Sequence, residues 1–151
     1  MVATLPKEKE LPIISQLALK VNLGTIQEPL YLDFNEKKEN LKSVIVNGKM
    51  VVILHEKEHL IIPKEYLIKG HNLVEVYFIA GDLSLNRSDD FLYTLLVPDR
   101  ASTLFPCFDQ PDIKAAYALS ITAPKGWSVL AGAPLSKKTE LGDFVQHQLE
   151  Q

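Results

Sequence analysis

Residues 105–111 have the sequence FPCFDQP, and the rest of the chain is organised around this segment. Its two prolines, Pro106 and Pro111, fix φ and remove two backbone donors, so the stretch suits neither a helix interior nor a central strand. It also holds two phenylalanines and the only cysteine, Cys107, and these residue types prefer burial. A rigid, apolar and irregular segment of this kind predicts a packed loop, and packed loops often line functional sites.

Strand-like sequence lies on both sides of this loop and recurs along the chain. In most of these segments apolar and polar residues alternate, which is the two-residue period of a half-buried strand. The predicted strands cover residues 17–23, 30–34, 43–46, 50–54, 60–62, 73–80, 91–97, 115–123, 127–131 and 144–149.

The turns between these segments support an all-β fold. Asn47 and Gly48 separate two strands, and Asn-Gly is the strongest short-range hairpin signal because both positions need positive φ. No segment keeps a 3.6-residue period. We therefore predict an antiparallel, sandwich-like or saddle-shaped curved sheet of short strands. Residues 1–12, polar and flanked by proline, are predicted to be a flexible N-terminus, and residues 13–151 to form a single β domain.

Length and composition narrow the possible functions. A chain of 151 residues corresponds to about one domain with a real core. A net charge of −3 argues against nucleic-acid binding, which calls for a basic surface. No apolar run reaches the roughly 18 residues that suggest a membrane span, and the charged first ten residues do not resemble a signal peptide. We expect a soluble protein whose compartment the single cysteine leaves undecided.

One short motif suggests a zinc enzyme. Residues 55–59, HEKEH, match the His-Glu-x-x-His pattern, which on a helix places two imidazoles on one face to bind zinc beside a glutamate base. The flanking sequence is strand-like, and along a strand His55 and His59 would lie about 13 Å apart, too far to share a zinc ion. We interpret the motif as a charged hairpin or loop tip with solvated histidines. A small zinc hydrolase that uses His55, Glu56 and His59 is the least favoured alternative.

The polar residues around the proline-rich loop have structural interpretations. Cys107 has no nearby helix start to lower its pKa, which favours a buried structural thiol over a nucleophile. Asp109 and Asp112 are typical turn acceptors for backbone amides. Arg100 is predicted to hold the loop through a contact with an aspartate. No residue of the chain is assigned a catalytic role.

Residues 91–116, FLYTLLVPDRASTLFPCFDQPDIKAA, closely resemble the N-terminal domain of the aminopeptidase N family of zinc metallopeptidases. Family members carry a similar Tyr/Ala-Thr strand, a Pro-x-x-Ala-Arg-like turn, and Phe-Pro-Cys-Phe-Asp-Glu/Gln-Pro followed by Lys-Ala. The resemblance implies a non-catalytic β domain that packs on the catalytic domain of the same polypeptide and caps its cleft. It implies that the parent enzyme removes N-terminal residues from peptide substrates, with zinc in the catalytic domain and no cofactor in this chain.

The same resemblance bears on individual residues. The family places a glutamate zinc ligand eighteen intervening residues after the second histidine of its zinc motif, and here that position is Phe78. A family glutamine that reaches the pocket for the substrate's first side chain corresponds to Leu95, which would favour an apolar residue there, unless Leu95 is a core strand residue. We expect a truncated N-terminal domain that is inactive alone, with a stand-alone β-sandwich binding module as the alternative.

Overall fold

The computed structural model describes residues 1–150. Over those residues it contains thirteen β-strands, three short 3₁₀ helices and no α-helix. The strands are β1 (Val2–Thr4), β2 (Ile14–Leu23), β3 (Leu30–Asp33), β4 (Leu41–Val46), β5 (Lys49–Val51), β6 (Leu54–Glu56), β7 (His59–Ile62), β8 (Gly70–Ile79), β9 (Leu85–Arg87), β10 (Leu92–Thr94), β11 (Leu119–Pro124), β12 (Leu135–Leu141) and β13 (Phe144–Leu149). The 3₁₀ helices are Lys38–Asn40, Lys64–Tyr66 and Ala101–Thr103.

The strands form one large sheet and two small ones. The large sheet has eight strands in the order β12-β13-β11-β1-β2-β8-β4-β5. A three-stranded sheet has the order β3-β7-β6, and β9 pairs with β10 alone. Every pair is antiparallel except β1 and β11, which run parallel. The predicted all-β fold with an open, curved sheet is therefore confirmed, with this one parallel pair as a departure.

The main core lies between the large sheet and the three-stranded sheet. Strand β8 shows why the core lies on this side of the large sheet. Along it buried and less buried side chains alternate: Val74, Val76 and Phe78 are buried, while Glu75 and Tyr77 are not. Burying each large side chain of this kind contributes roughly 1.5–3 kcal/mol. The core consists of Leu17, Leu32, Phe34, Leu41, Val44, Val46, Val51, Leu60, Ile62, Leu67, Val74, Val76 and Phe78.

The predicted Asn-Gly hairpin joins β4 to β5. Asn47 has φ 51° and Gly48 has φ 79°, the left-handed conformation that a two-residue hairpin turn requires. The strands then pair with Val46 opposite Lys49 and Val44 opposite Val51. This register places Val44, Val46 and Val51 in the core.

The N-terminal segment differs from the predicted flexible region of residues 1–12. Strand β1 lies inside the large sheet, antiparallel to β2 on one side and parallel to β11 on the other. Ala3 is buried in a second core cluster, and the amide of Leu5 donates to the carbonyl of Thr122 at 2.8 Å. The guanidinium of Arg87 fixes the segment that follows by donating to the carbonyls of Pro6, Glu8 and Leu11.

The C-terminal part extends the large sheet beyond β11. The predicted strand at 144–149 is confirmed as β13, whereas the strand predicted at 127–131 is absent and β12 forms at Leu135–Leu141 instead. Trp127 and Val129 lie outside any strand and pack against the second core cluster of Ala3, Leu5, Ile13 and Ala123. Among residues 1–150, no helix has the length and apolar character to cross a membrane.

Candidate functional site

The proline-rich loop packs against the end of β3. Asp33 and Cys107 form an isolated antiparallel bridge, in which the amide of Asp33 donates to the carbonyl of Cys107 at 2.7 Å and the reverse bond is 3.0 Å. Pro106 is fully buried, and Phe105 and Phe108 pack against the main core. The loop is therefore packed and irregular, as the two prolines and the apolar composition predict.

The side chain of Asp33 holds the loop as well as its backbone. Its Oδ2 accepts from the amide of Asp109 at 2.9 Å and from Nε2 of Gln110 at 3.2 Å. Its Oδ1 lies 3.7 Å from Nε2 of His59, a contact that becomes an ion pair only when the imidazole is protonated. No local pattern in the sequence points to Asp33, because nothing near it shows that the end of β3 meets a loop so distant in sequence.

Asp109 continues the network toward the turn before the loop. Its Oδ2 accepts from the amide of Ser102 at 2.8 Å, at the start of the 3₁₀ helix Ala101–Thr103. Arg100 does not contact an aspartate, since its guanidinium donates to the carbonyl of Leu83 at 3.3 Å. Asp112 is exposed. The predicted Arg–Asp contact is therefore wrong, because the Asp109 carboxylate bonds a backbone amide and Arg100 reaches a different segment.

A buried hydroxyl pair connects this turn to residues 81–84. The hydroxyl of Thr103 lies 2.7 Å from the hydroxyl of Ser84, and both side chains are buried. The amide of Gly81 donates to the carbonyl of Leu104 at 3.1 Å. A Cβ on Gly81 would lie 2.0 Å from the carbonyl oxygen of Thr103, so only glycine fits this close approach. The two segments consequently behave as one packed unit.

Cys107 is held as a neutral thiol. Burial raises its pKa to about 12, and the carboxylates of Asp109 and Asp33 add to the shift. Burial also raises the pKa of Tyr117 to about 12, with Cys107 as a smaller cause. The ring of Tyr117 stacks on Phe105 with centroids 6.2 Å apart. Because the thiolate is the nucleophilic form, this environment supports the structural interpretation of Cys107.

The His-Glu-x-x-His residues form a hairpin rather than a helix. Strands β6 and β7 are joined by two residues with φ 48° and 66°. His55 pairs with buried Leu60, and His59 pairs with exposed Glu56. Residues directly opposite in an antiparallel pair share a face, and neighbouring pairs alternate. The two imidazoles therefore lie on opposite faces of the hairpin and do not converge on one ion.

Each imidazole also forms a hydrogen bond with a backbone carbonyl. Nε2 of His55 donates to the carbonyl of Phe34 at 2.8 Å, and Nδ1 of His59 donates to the carbonyl of Lys57 at 2.7 Å. Both histidines are half-buried, so the expected hairpin forms but its histidines are not fully solvated. Within residues 1–150, no three His, Cys, Asp or Glu side chains are grouped to hold a metal ion. These residues therefore offer no site for the zinc ion, which the resemblance assigns to the catalytic domain.

Leu95 belongs to an exposed apolar surface. Strand β10 is shorter than the predicted 91–97, and the amide of Leu95 donates to the carbonyl of Ser84 just beyond it. Leu95 is 56% exposed, so its interpretation as a core strand residue is wrong. Phe91, Tyr93 and Val97 are 55%, 53% and 74% exposed. We call these four alternating side chains, Phe91, Tyr93, Leu95 and Val97, the ridge.

Comparison with known families accounts for this combination of fold and loop. The family model described as the peptidase M1 N-terminal domain matches residues 28–151. The chain belongs to this family. The N-terminal domain assignment made from residues 91–116 is thereby confirmed.

Curated relatives of this peptidase M1 N-terminal domain are aminopeptidases. Over 80 residues the chain is 44% identical to "Aminopeptidase N" of Streptomyces lividans, covering 45% of this chain and 9% of that protein. Over 46 residues it is 44% identical to "Glutamyl aminopeptidase" of Homo sapiens, covering 30% of this chain and 5% of that protein. The chain thus spans less than a tenth of the length of these two relatives.

Solved structures share the fold over nearly the whole chain. An M1 zinc metallopeptidase from Deinococcus radiodurans superposes with a TM-score of 0.77 at 18% identity, covering 99% of this chain and 37% of that one. Legionella pneumophila aminopeptidase A, solved with aspartic acid, gives a TM-score of 0.80 at 20% identity, covering 99% of this chain and 18% of that one. The same fold therefore occurs as a minor part of these two longer chains.

Proposed function

We propose that the chain is the non-catalytic N-terminal β domain of a zinc aminopeptidase, with residues 13–151 as one domain completed by β1. The observation that carries the proposal is the family match over residues 28–151, together with relatives that are aminopeptidases of much greater length. The parent enzyme would remove N-terminal residues from peptides, and its zinc would be held by a catalytic domain. The hairpin geometry of His55 and His59 supports placing the metal outside this chain.

In this proposal the domain packs on the catalytic domain and caps its cleft. Leu95 would line the pocket for the first side chain of the substrate. Its isobutyl group offers no hydrogen-bond donor or acceptor, so the pocket would favour an apolar residue over a polar one. The loop at 105–111 and the network around Asp33 would hold the neighbouring segment in place without contacting substrate.

The proposal is tested on the polypeptide encoded by the whole reading frame. We expect the long polypeptide to bind zinc and hydrolyse aminoacyl substrates, and the 151-residue chain to do neither. Leu95→Gln in the long polypeptide should raise the ratio of kcat/KM for a polar first residue to that for leucine, with Leu95→Ile as the apolar control. An unchanged ratio would show that Leu95 does not line the pocket. A reading frame without a zinc-binding domain would instead favour the stand-alone binding module.

A further inference from the structure

The turn between β4 and β5 is a reactive dipeptide as well as a hairpin signal. Asn47 is followed by Gly48, whereas the other five asparagines of the chain precede leucine, glutamate or arginine. Asparagine is chemically labile, because the backbone nitrogen of the next residue can attack its carboxamide carbon. A glycine there has no Cβ to hinder the attack, and Gly48 is exposed to solvent. Asn47 is therefore the asparagine with the least steric protection from its own chain.

In the folded protein three hydrogen bonds hold the carboxamide of Asn47. Its Nδ2 donates to the carbonyl of Tyr66 at 3.0 Å and to Oδ1 of Asn72 at 2.9 Å. Its Oδ1 accepts from the amide of Leu73 at 3.0 Å. Both protons of Nδ2 thus have acceptors. A carboxamide held in this way cannot turn its Cγ toward the Gly48 nitrogen without breaking these bonds.

Asn72 fixes the carboxamide of Asn47 from inside the protein. Asn72 is 2% exposed, and its Oδ1 also accepts from the amide of Ile68 at 2.9 Å. Its Nδ2 donates to the carbonyls of Ile68 at 2.7 Å and Gly70 at 3.1 Å. We call the side chains of Asn47 and Asn72 the amide cluster. Because unpaired buried amides are costly, the amide cluster opens only when the β4–β5 turn separates from residues 66–73.

We propose that Asn47 is a site of spontaneous deamidation that the folded state suppresses through the amide cluster. When the cluster opens, the Gly48 backbone nitrogen loses its proton to a base in the solvent and attacks Cγ of Asn47. The new N–Cγ bond closes a succinimide ring, the Cγ–Nδ2 bond breaks, and the side-chain nitrogen leaves as ammonia after taking a proton from water. Water then breaks one of the two carbonyl–nitrogen bonds of the ring, which leaves aspartate or isoaspartate at position 47.

Neither product can rebuild the amide cluster, because a carboxylate has no proton to donate. An aspartate at position 47 would place an oxygen where Nδ2 now lies, 3.0 Å from the carbonyl oxygen of Tyr66 and 2.9 Å from Oδ1 of Asn72. Repulsion between these acceptors and loss of solvent around the charge both oppose this arrangement. Isoaspartate also lengthens the main chain inside the two-residue turn that sets Val46 opposite Lys49. The modification therefore marks chains in which this turn has opened.

The first experiment compares deamidation of the 151-residue chain in buffer and in guanidinium chloride, read out by peptide mass spectrometry. The peptide that contains Asn47 should convert about tenfold or more slowly in the folded chain, since opening of the cluster limits the rate. Asn86, an exposed residue of β9, is the control and should convert slowly under both conditions. Equal rates for Asn47 in buffer and denaturant would overturn the protection. A rate in denaturant no faster than that of Asn86 would overturn the site.

The second experiment tests the consequence of the modification. Asn47→Asp, which has the side chain of one product, should lower the midpoint of guanidinium unfolding, whereas Asn86→Asp should leave it unchanged. Asn47→Gly removes the carboxamide without adding a charge and suits the positive φ of the turn, so it should lose less than Asn47→Asp. A midpoint for Asn47→Asp equal to that of the unsubstituted chain would show that the modified chain does rebuild the turn, and would overturn this part of the proposal.

Discussion

The substitution Gly81→Ala tests the packing that supports both the loop and the ridge. The new Cβ would lie 2.0 Å from the carbonyl oxygen of Thr103 and 2.6 Å from Oε1 of Glu36. The glutamate can rotate away, but the carbonyl belongs to the 3₁₀ turn and moves only with it. Overpacking of this kind costs about 1–3 kcal/mol, and a lengthened Gly81–Leu104 hydrogen bond costs about 1 kcal/mol more. We therefore expect the free energy of unfolding to fall by about 2–4 kcal/mol.

The assay is urea unfolding of the 151-residue chain, followed by the fluorescence of its single tryptophan, Trp127, and by circular dichroism. With a urea m-value of about 2 kcal/mol/M, the expected loss lowers the urea midpoint by roughly 1–2 M. Gly24→Ala is the matched control, because no heavy atom lies within 4 Å of its added Cβ. It should change stability by less than about 1 kcal/mol in either direction.

Equal unfolding midpoints for Gly81→Ala and Gly24→Ala would contradict the predicted clash with Thr103. That result would mean that residues 81–84 are not packed tightly against the turn at Ala101–Thr103. The hydrogen bond from the Leu95 amide to the Ser84 carbonyl would then not rest on a rigid support.

The remaining predictions concern the loop, the thiol and the histidines. Asp33→Ala should destabilise the chain by about 1–3 kcal/mol because the Asp109 amide loses its acceptor, and Asp33→Asn, which keeps an acceptor oxygen, should cost less in the same urea assay; equal losses would contradict the acceptor role. Because the folded pKa of Cys107 is raised from 9.0 to about 12, its stabilising effect is complete below pH 9 and is lost as the pH rises toward 12. Cys107→Ser should therefore flatten the fall of the urea midpoint above about pH 9, and an unchanged slope would argue against the raised pKa. His55→Ala with His59→Ala should leave the zinc content per chain unchanged in mass spectrometry, and the loss of one bound zinc would contradict the opposite-face geometry.

Strands with a clear local period could be predicted from the sequence. Val74, Val76 and Phe78 alternate with polar or less buried residues, and the structure buries those three in β8. The Asn47-Gly48 turn was equally readable, because its signal is a dipeptide with a backbone requirement of its own. These features depend on residues close in sequence.

Short strands with distant partners could not be predicted. Val2–Thr4 is too brief to show a period, and its place in the sheet depends on β2 and β11, the latter more than a hundred residues away. Leu135–Leu141 pairs only with β13 at the edge of the sheet, where most of its side chains are exposed and the usual apolar alternation is weak. Pairing of this kind is decided by the assembled sheet.

The candidate site, too, could be predicted from the sequence only in part. The composition of the loop indicated a packed segment, yet the residue that holds it, Asp33, lies on a distant strand and has no local signature. Leu95 illustrates a second limit, because an alternating apolar pattern does not say whether its apolar face meets the core or the solvent. Leu92 is half-buried, whereas Phe91, Tyr93 and Leu95 are each more than half exposed.

The position of β1 has a consequence for the order in which the protein is built. Val2–Thr4 is synthesised before the other twelve strands, but one of its two neighbours, β11, begins only at Leu119. On the ribosome, β2, β8, β4 and β5 can pair while the first strand still has an open side. The pairing of β1 with β11 closes a loop of more than a hundred residues, and such non-local contacts form slowly. Until it occurs, β1 exposes an unpaired edge that chaperones or neighbouring nascent chains can reach.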